Sequence, residues 1–403
     1  MMLFETLRSD FALKSSSYRR FLYGSFFVRT ADWMELTILN WVVYQWTSSA
    51  VALGAVNACR LLPVFLFSAA AGSAADRFQR RNSLFILYGA LFLMTVWMSF
   101  NIKDPSSFGM LTFIIVLKSI LMSFEVPIRN AYLSDIVPAS MLGSAITLQT
   151  TCINVARMIG PALAGVLLAS FPPALLLFYV SLGTLFVLLS LWTIPQDEQN
   201  VYKGNQTHKS ISETWQYLKK EPAIPSILLL AIAPMIFGFP YTTMLPLLSE
   251  ELMDTGSEGF GLLLSVSSAG AIISTVVLSW RQPYTGGKWL ILSSLGFGAS
   301  LILFTAFSQI KVLAFILIFL VGFSSQYYRT LSRIIVQLKV AEEHRGRILS
   351  FALMDRGYIP LGAILIGFVA NIFGAYSAGL FMGIGTIVIT LIISQSNRRM
   401  WKE

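Results

Sequence analysis

The sequence predicts an all-α polytopic membrane protein with twelve transmembrane helices in two pseudo-symmetric six-helix bundles. Hydrophobic residues make up 55% of the 403 residues and charged residues only 12%, whereas about 25% of the residues in a soluble domain are charged. The apolar segments are roughly 20 residues long and apolar on all sides, as a helix requires to cross ~30 Å of hydrocarbon. A barrel strand would instead alternate over about 9–11 residues. The positive charges also sort to one side of these segments.

The apolar segments define the predicted spans in chain order, and the longest polar stretch separates six spans from six. The first six cover approximately 21–46, 51–75, 83–101, 109–128, 143–170 and 174–194. The second six cover approximately 225–248, 259–280, 289–308, 312–328, 348–372 and 375–394. We predict an N-terminal bundle over residues 1–195, a cytoplasmic linker over 196–222 and a C-terminal bundle over 223–403.

The loops between the spans set the predicted orientation. Lysines and arginines concentrate on one side, as in Arg77, Arg80 and Arg81, whereas the loops of the other side hold only Lys103 and Lys311. Cytoplasmic loops are enriched in Lys and Arg, so both termini are predicted to be cytoplasmic. The net charge of +9 follows from this topology, and we expect the lipid bilayer as partner and no nucleic acid.

The two halves resemble copies of one another. Each of three glycines in the fifth span has a counterpart near the eleventh span at nearly the same separation: Gly143, Gly160 and Gly165 correspond to Gly346, Gly362 and Gly367. Internal repeats of this kind are typical of transporters. The pattern predicts that the fifth and eleventh spans are equivalent.

Residue types that carry catalysis or bind metals are sparse. Cys59 and Cys152 lie inside apolar segments, and His208 and His344 stand alone in polar connections. No nucleotide-binding, nucleophile or metal-ligand spacing accompanies them. We therefore expect neither an enzyme nor a bound metal or cofactor.

The connection between the second and third spans carries a recognisable motif. Its sequence, GSAADRFQRR over residues 72–81, resembles the cytoplasmic signature loop of the major facilitator superfamily, with Ala74 and Gln79 where leucine and glycine are usual. The resemblance implies that Asp76 pairs with a cation such as Arg129 and latches the outward-open state. The alternative is that the arginines only orient the span. The latch residues are Gly72, Asp76, Arg77, Arg80, Arg81 and Arg129.

A second motif lies in the fifth span, ARMIGPALAG over residues 156–165. Gly160, Pro161 and Gly165 permit close helix packing. The motif resembles the glycine-proline motif of antiporter branches, where it also seals the cavity against proton leak. Together with WVVYQ at 41–45 and RGR at 345–347, it resembles the branch of bacterial macrolide and enterobactin exporters, which implies a bacterial cytoplasmic membrane.

Charged residues at membrane depth are the candidates for ion coupling. Arg29, Asp32 and Glu35 fall within a sector of roughly 120° on one helix face, and Asp32 lies roughly 16 Å into a ~30 Å core. Such residues normally face an interior cavity or one another. The alternative is a permanent salt bridge from Asp32 to Arg29 or Arg157. By resemblance, Lys118 lies near an arginine tied to proton transfer in exporters.

The seventh span holds Pro234, Gly238, Pro240 and Pro246 and is predicted to be kinked. Aromatic residues around it and in the tenth span are candidates for contacts with a bulky amphipathic ligand, with helix packing as the alternative. These candidates are Phe237, Phe239, Tyr241, Phe323, Tyr327, Tyr328 and Arg329.

The sequence and its resemblance together imply a monomeric, proton-coupled exporter that works by alternating access. The expected substrate is an amphipathic small molecule such as a macrolide-type drug or a siderophore. Two alternatives remain open at this point: an importer or lipid-moving member of the same superfamily, and a non-transporting membrane receptor.

Overall fold

The computed structural model describes residues 12–77, 79–195, 223–280, 287–340 and 357–396. The predicted linker and the RGR sequence at 345–347 lie outside these ranges. All regular elements in the described ranges are helical. The first six helices are α1 (Ser16–Thr47), α2 (Ala50–Arg77), α3 (Arg80–Asn101), α4 (Phe108–Ile136), α5 (Leu142–Leu168) and α6 (Pro173–Thr193). The others are α7 (Ala223–Leu230), α8 (Tyr241–Glu251), α9 (Gly256–Trp280), α10 (Gly287–Ala306), α11 (Lys311–Lys339) and α12 (Tyr358–Ser396).

Nine helical segments within the described ranges are long and apolar enough to cross a membrane. Helix α1 falls outside this set because Arg29, Asp32 and Glu35 interrupt its apolar sequence. Helix α12 has 39 residues, about 58 Å at 1.5 Å per residue and close to twice the hydrocarbon thickness. Its backbone is non-helical at Gly374, with φ 81° and ψ 169°. The membrane-spanning all-α architecture is thereby confirmed, while the count of twelve spans stays a prediction.

The seventh predicted span is interrupted, as its prolines and glycine indicated. Helix α7 ends at Leu230, residues Pro234–Gly238 form a π-helical turn, and α8 begins at Tyr241. Proline removes a backbone N–H and clashes with the preceding turn, and Pro234, Gly238 and Pro240 lie close together where the α-helix is interrupted. Short π-helical segments of this kind are frequent at functional sites.

The chain divides into two compact units. The first comprises residues 1–42 and 59–205, and the second comprises 43–58 and 206–403. In the first unit, α3 packs against α4 and α6. The Tyr18 hydroxyl on α1 donates to the carbonyl of Ala145 on α5 at 2.8 Å, and the rings of Phe21 and Tyr132 lie 5.3 Å apart. These contacts place α1 against both α4 and α5.

In the second unit, α9 packs against α11, and α10 packs against both α11 and α12. The unit also includes the first residues of α2, which lie against α12. A Cβ placed on Gly367 would lie 2.7 Å from the carbonyl oxygen of Ala50. The absence of a side chain therefore allows the two backbones to approach closely.

Candidate functional site

A buried ionic network joins α1, α3 and α4 in the first unit. The Arg29 guanidinium donates to Asp32 Oδ2 at 2.9 Å, pairs with Glu125 and lies 3.3 Å from the Tyr88 hydroxyl. Tyr88 donates to Glu125 Oε1 at 2.7 Å, and Arg129 Nε lies 2.9 Å from the same oxygen. Two arginines thus balance two carboxylates, which meets the requirement that charges inside a membrane protein pair with one another.

A second ionic cluster lies further along α1. The Lys118 ammonium on α4 pairs with Glu35 and donates to Thr95 Oγ1 at 2.6 Å. The Thr95 hydroxyl lies 3.2 Å from Glu35 Oε2. The charges of this cluster are again balanced, and its three members come from α1, α3 and α4.

The three carboxyl groups differ in their exposure. The Asp32 side chain is 22% exposed, whereas those of Glu35 and Glu125 are 7% and 0% exposed. A carboxyl group that is partly exposed can exchange a proton directly, whereas a buried one needs a hydrogen-bonded relay. Among these three groups, Asp32 has the geometry best suited to exchange protons.

Asp32 and Glu35 therefore share a helix sector but have different partners. The Arg29–Asp32 salt bridge of the alternative interpretation is present, and it is compatible with proton exchange because Arg29 also has Glu125 as a partner. Arg157 is half-buried on α5. Arg60 on α2 interacts electrostatically with Glu35 and Asp32, and its carbonyl accepts a hydrogen bond of 2.7 Å from Ser119.

Tyr88 and Thr95 were not identified from the sequence, although both belong to these clusters. They lie seven residues apart on α3, so they share one helix face. Hydroxyl side chains are common in membrane helices, where they usually bond to a backbone carbonyl. The seven-residue spacing of Tyr88 and Thr95 indicates a role in the clusters only when α3 is known to face the charges of α1 and α4.

The glycine-proline motif of α5 packs beside the charged part of α1. Gly160, Pro161 and Gly165 are all buried. A Cβ on Gly160 would lie 2.8 Å from the Trp33 Cβ and 2.9 Å from the Thr30 carbonyl oxygen, closer than real Cβ contacts. The contact brings α5 directly against the turn of α1 that carries Asp32.

Three of the predicted latch residues are described with their side chains. Arg80 pairs with Asp135, and Arg81 Nε donates to the carbonyl of Leu191 at 2.9 Å. These contacts hold the start of α3 against the ends of α4 and α6. Arg129 is engaged by Glu125. The side chains of Gly72, Asp76 and Arg77 lie outside the described part, so the pairing of Asp76 stays a prediction.

In the second unit, one residue of the predicted aromatic group contacts an arginine. The Arg329 guanidinium lies 4.0 Å from the centre of the Phe239 ring, a cation–π arrangement. The Phe239 ring lies 5.2 Å from that of Phe297. The Tyr241 hydroxyl lies 2.6 Å from Ser267 Oγ.

The remaining aromatic candidates lie elsewhere in this unit. Phe237 packs against Phe381 with ring centres 5.7 Å apart. Phe323 and Tyr327 stack on each other at 6.0 Å, and Tyr328 is fully buried. The structure thus distributes the contacts of the predicted aromatic group over several places: Phe237, Phe239 and Tyr241 all lie in the interrupted seventh span, but only Phe239 is seen in contact with Arg329.

Comparison with known protein families identifies the family to which the chain belongs. Residues 9–403 match the model of a major facilitator superfamily (MFS) family described as transmembrane secretion effector. The chain belongs to this MFS transporter family. The recognition made from the signature loop and the fifth span is therefore confirmed, as is the MFS fold.

Individual MFS proteins are similar to this chain along most of its length. A staphyloferrin A transporter of Staphylococcus aureus is 34% identical over 94% of this chain and 96% of its own. Macrolide efflux protein A of Streptococcus pyogenes is 22% identical, covering 90% of this chain and 91% of its own. The crystal structure of a bacterial homologue of Spinster, inward-facing and unoccupied, superposes with a TM-score of 0.75 at 15% identity, covering 96% and 98%.

Proposed function

We propose that this MFS transporter is a proton-coupled exporter that moves an amphipathic small molecule out of a bacterial cell by alternating access. It works as a monomer in the cytoplasmic membrane with both termini in the cytoplasm. The observation that carries the proposal is the partly exposed Asp32 carboxylate bound to an arginine that has a second, fully buried partner.

Protonation of Asp32 has a defined consequence in this network. The neutral carboxylic acid loses its charge attraction to Arg29, while Arg29 keeps Glu125 and Tyr88 as partners. The guanidinium therefore needs no new partner when Asp32 takes up a proton. This lowers the cost of breaking the Arg29–Asp32 bridge, because a buried arginine is never left unpaired.

The change at Asp32 can be transmitted through α1. Gly160 of α5 touches α1 at Thr30 and Trp33, in the same turn as the Arg29–Asp32 bridge. Release of the bridge alters the same turn of α1 that α5 packs against. The Glu35–Lys118 pair remains in place and holds the following turn of α1 to α4.

The substrate class rests on the aromatic–cation group and on the relatives. Phe239 and Tyr241 lie in the interrupted span and Arg329 contacts Phe239, and discontinuous helices form the substrate sites of many secondary transporters. Aromatic rings and a guanidinium suit a molecule that carries both apolar and polar groups. The names of the relatives support macrolide-type drugs and the siderophore class as candidates.

Transport direction and coupling are tested together in proteoliposomes. Purified protein is reconstituted with an imposed pH gradient, and the flux of erythromycin and of staphyloferrin A is followed in parallel. We expect one of the two to move against the direction of proton flow and to stop moving when a protonophore is added.

Movement of the solute in the same direction as the protons would identify an importer. Flux that a protonophore does not change would contradict proton coupling. Liposomes without protein and liposomes with the Asp32→Asn variant serve as controls for leak and for coupling.

A further inference from the structure

A groove between α10 and α11 belongs to neither ionic cluster nor to the aromatic–cation group. It lies within the second unit and has a volume of about 240 Å³. The stacked rings of Phe323 and Tyr327 form one side. The lining residues are Trp289, Leu292, Ser293, Gly296, Phe323, Ser324 and Tyr327.

The groove exists because small residues face it at its centre. A Cβ added to Gly296 would meet no atom within 4 Å, so the space in front of this glycine is open. Ser293 and Ser324 add little volume on either side. A larger side chain at position 296 would occupy the groove without displacing a neighbouring helix.

The surface around the groove is apolar and exposed. Leu292 and Leu303 on α10 are 40% and 43% exposed, and Ile316 and Leu320 on α11 are 54% and 42% exposed. Apolar side chains exposed in this way on membrane helices face the lipid. The groove therefore continues a lipid-facing surface of α10 and α11.

The two serines of the lining already donate to carbonyls of their own helices. Ser293 Oγ donates to the carbonyl of Leu290 at 2.8 Å, and Ser324 Oγ donates to the carbonyl of Leu320 at 2.7 Å. A hydroxyl has a single proton to donate. The other polar groups of the lining are those of Trp289 and Tyr327, and the volume of the groove is below the roughly 300–1,000 Å³ of pockets that enclose drug-sized ligands.

One end of the groove carries a positive charge. Lys288 is exposed near the start of α10 and directly precedes Trp289, which is 39% exposed in the groove. Lysine near the end of a membrane helix normally extends toward the headgroup region, and tryptophan is enriched at the same depth. The apolar groove and the adjacent charge together match the two ends of a phospholipid.

We propose that this groove binds one acyl chain of an anionic phospholipid, with its phosphate next to Lys288. Phe323, Tyr327 and Trp289 contact the chain, and the space in front of Gly296 receives it. The lipid fills a gap between α10 and α11. This site is separate from the transport function proposed above and does not depend on the identity of the cargo.

The test measures how bilayers with brominated acyl chains quench the fluorescence of Trp289. The signal of Trp289 is the difference between the protein and its Trp289→Phe variant. Dibrominated phosphatidylglycerol and dibrominated phosphatidylcholine are compared over a series of mole fractions. We expect half-quenching at an about fivefold lower mole fraction of the anionic lipid, the preference that one lysine near the membrane surface supplies.

Two variants test the apolar groove and the lysine separately, and a third variant is the matched control. Gly296→Leu fills the groove and should abolish the preference. Lys288→Gln should leave quenching intact but equalise the two lipids. Gly89→Leu on α3 is the control, because a Cβ there also meets nothing within 4 Å, and it should behave as the unmodified protein.

Equal quenching by the two lipids in the unmodified protein would overturn the proposal, as would an unchanged preference in Gly296→Leu. An unchanged preference in Lys288→Gln would overturn the assignment of the phosphate. Protection of Trp289 by added erythromycin or staphyloferrin A would assign the groove to cargo and would also overturn the proposal.

Discussion

Arg29 and Glu125 form an ion pair that joins α1 to α4 inside the first unit, and the Glu125 side chain is completely buried. The same carboxylate also serves Tyr88 and Arg129. Three side chains thus depend on one acid, which makes Glu125 the centre of the network.

Glu125→Gln should therefore be strongly destabilising. The substitution leaves two buried guanidinium groups with one carboxylate, and removal of one partner of a buried ion pair typically costs about 3–5 kcal/mol. Thermal unfolding of the purified protein in detergent measures this effect. Val126→Ala, at the exposed neighbouring position, is the control, and equal melting temperatures for Glu125→Gln and the parent protein would contradict the prediction.

Asp32→Asn should uncouple transport from the pH gradient. The amide cannot ionise, so it mimics the protonated acid and removes the charge attraction to Arg29. We expect loss of gradient-driven flux, while exchange of labelled for unlabelled substrate without a gradient continues. Asp104→Asn is the matched control, because Asp104 is exposed and caps a short turn through the Ser106 N–H. Undiminished gradient-driven flux in Asp32→Asn would remove Asp32 from the coupling mechanism.

Glu35 and Lys118 should behave as an interdependent pair. Either Glu35→Gln or Lys118→Met alone leaves a buried charge without its partner and should lower the unfolding temperature. The double variant should recover part of the loss, with a coupling free energy of about 0.5–3 kcal/mol. A double-mutant cycle on thermal unfolding measures this term, and strictly additive effects would show that the pair is not coupled.

Gly160→Ala should disturb the packing of α5 on α1. The added Cβ would lie 2.8 Å from the Trp33 Cβ, and overpacking in a tight contact typically costs about 1–3 kcal/mol. Gly143→Ala on the same helix is the control, because its Cβ would meet nothing within 4 Å. Thermal unfolding and passive proton leak into liposomes are the two measurements. Identical behaviour of the two alanine variants would contradict the tight contact.

The sequence was sufficient for the all-α, membrane-spanning fold class and for the expectation that Arg29, Asp32, Glu35 and Lys118 face inward. Uniformly apolar segments can only be helices in lipid, and charges inside them had to face inward. Which of these charged side chains pair with one another could not be predicted from the sequence. Asp32 and Glu35 lie in one sector of α1, yet one turn of difference along the axis gives them Arg29 and Lys118 as separate partners.

The contacts among the aromatic candidates could not be predicted from the sequence either. Phe239 and Arg329 are far apart in the sequence but in contact, whereas Phe237, two residues from Phe239, packs against Phe381. Which aromatic residues meet depends on the rotation of each helix about its axis. The π-helical turn at Pro234–Gly238 changes that rotation within one span, and periodicity alone does not predict its position.

Gly374 breaks the helical backbone within α12 without an intervening loop, using a positive φ that glycine adopts readily. The two apolar stretches that meet at Gly374 are joined with no polar loop between them. If they are the two separate spans that the sequence predicts, they should enter the bilayer together during biosynthesis. An epitope tag or protease site inserted at this bend would consequently interfere with membrane insertion itself.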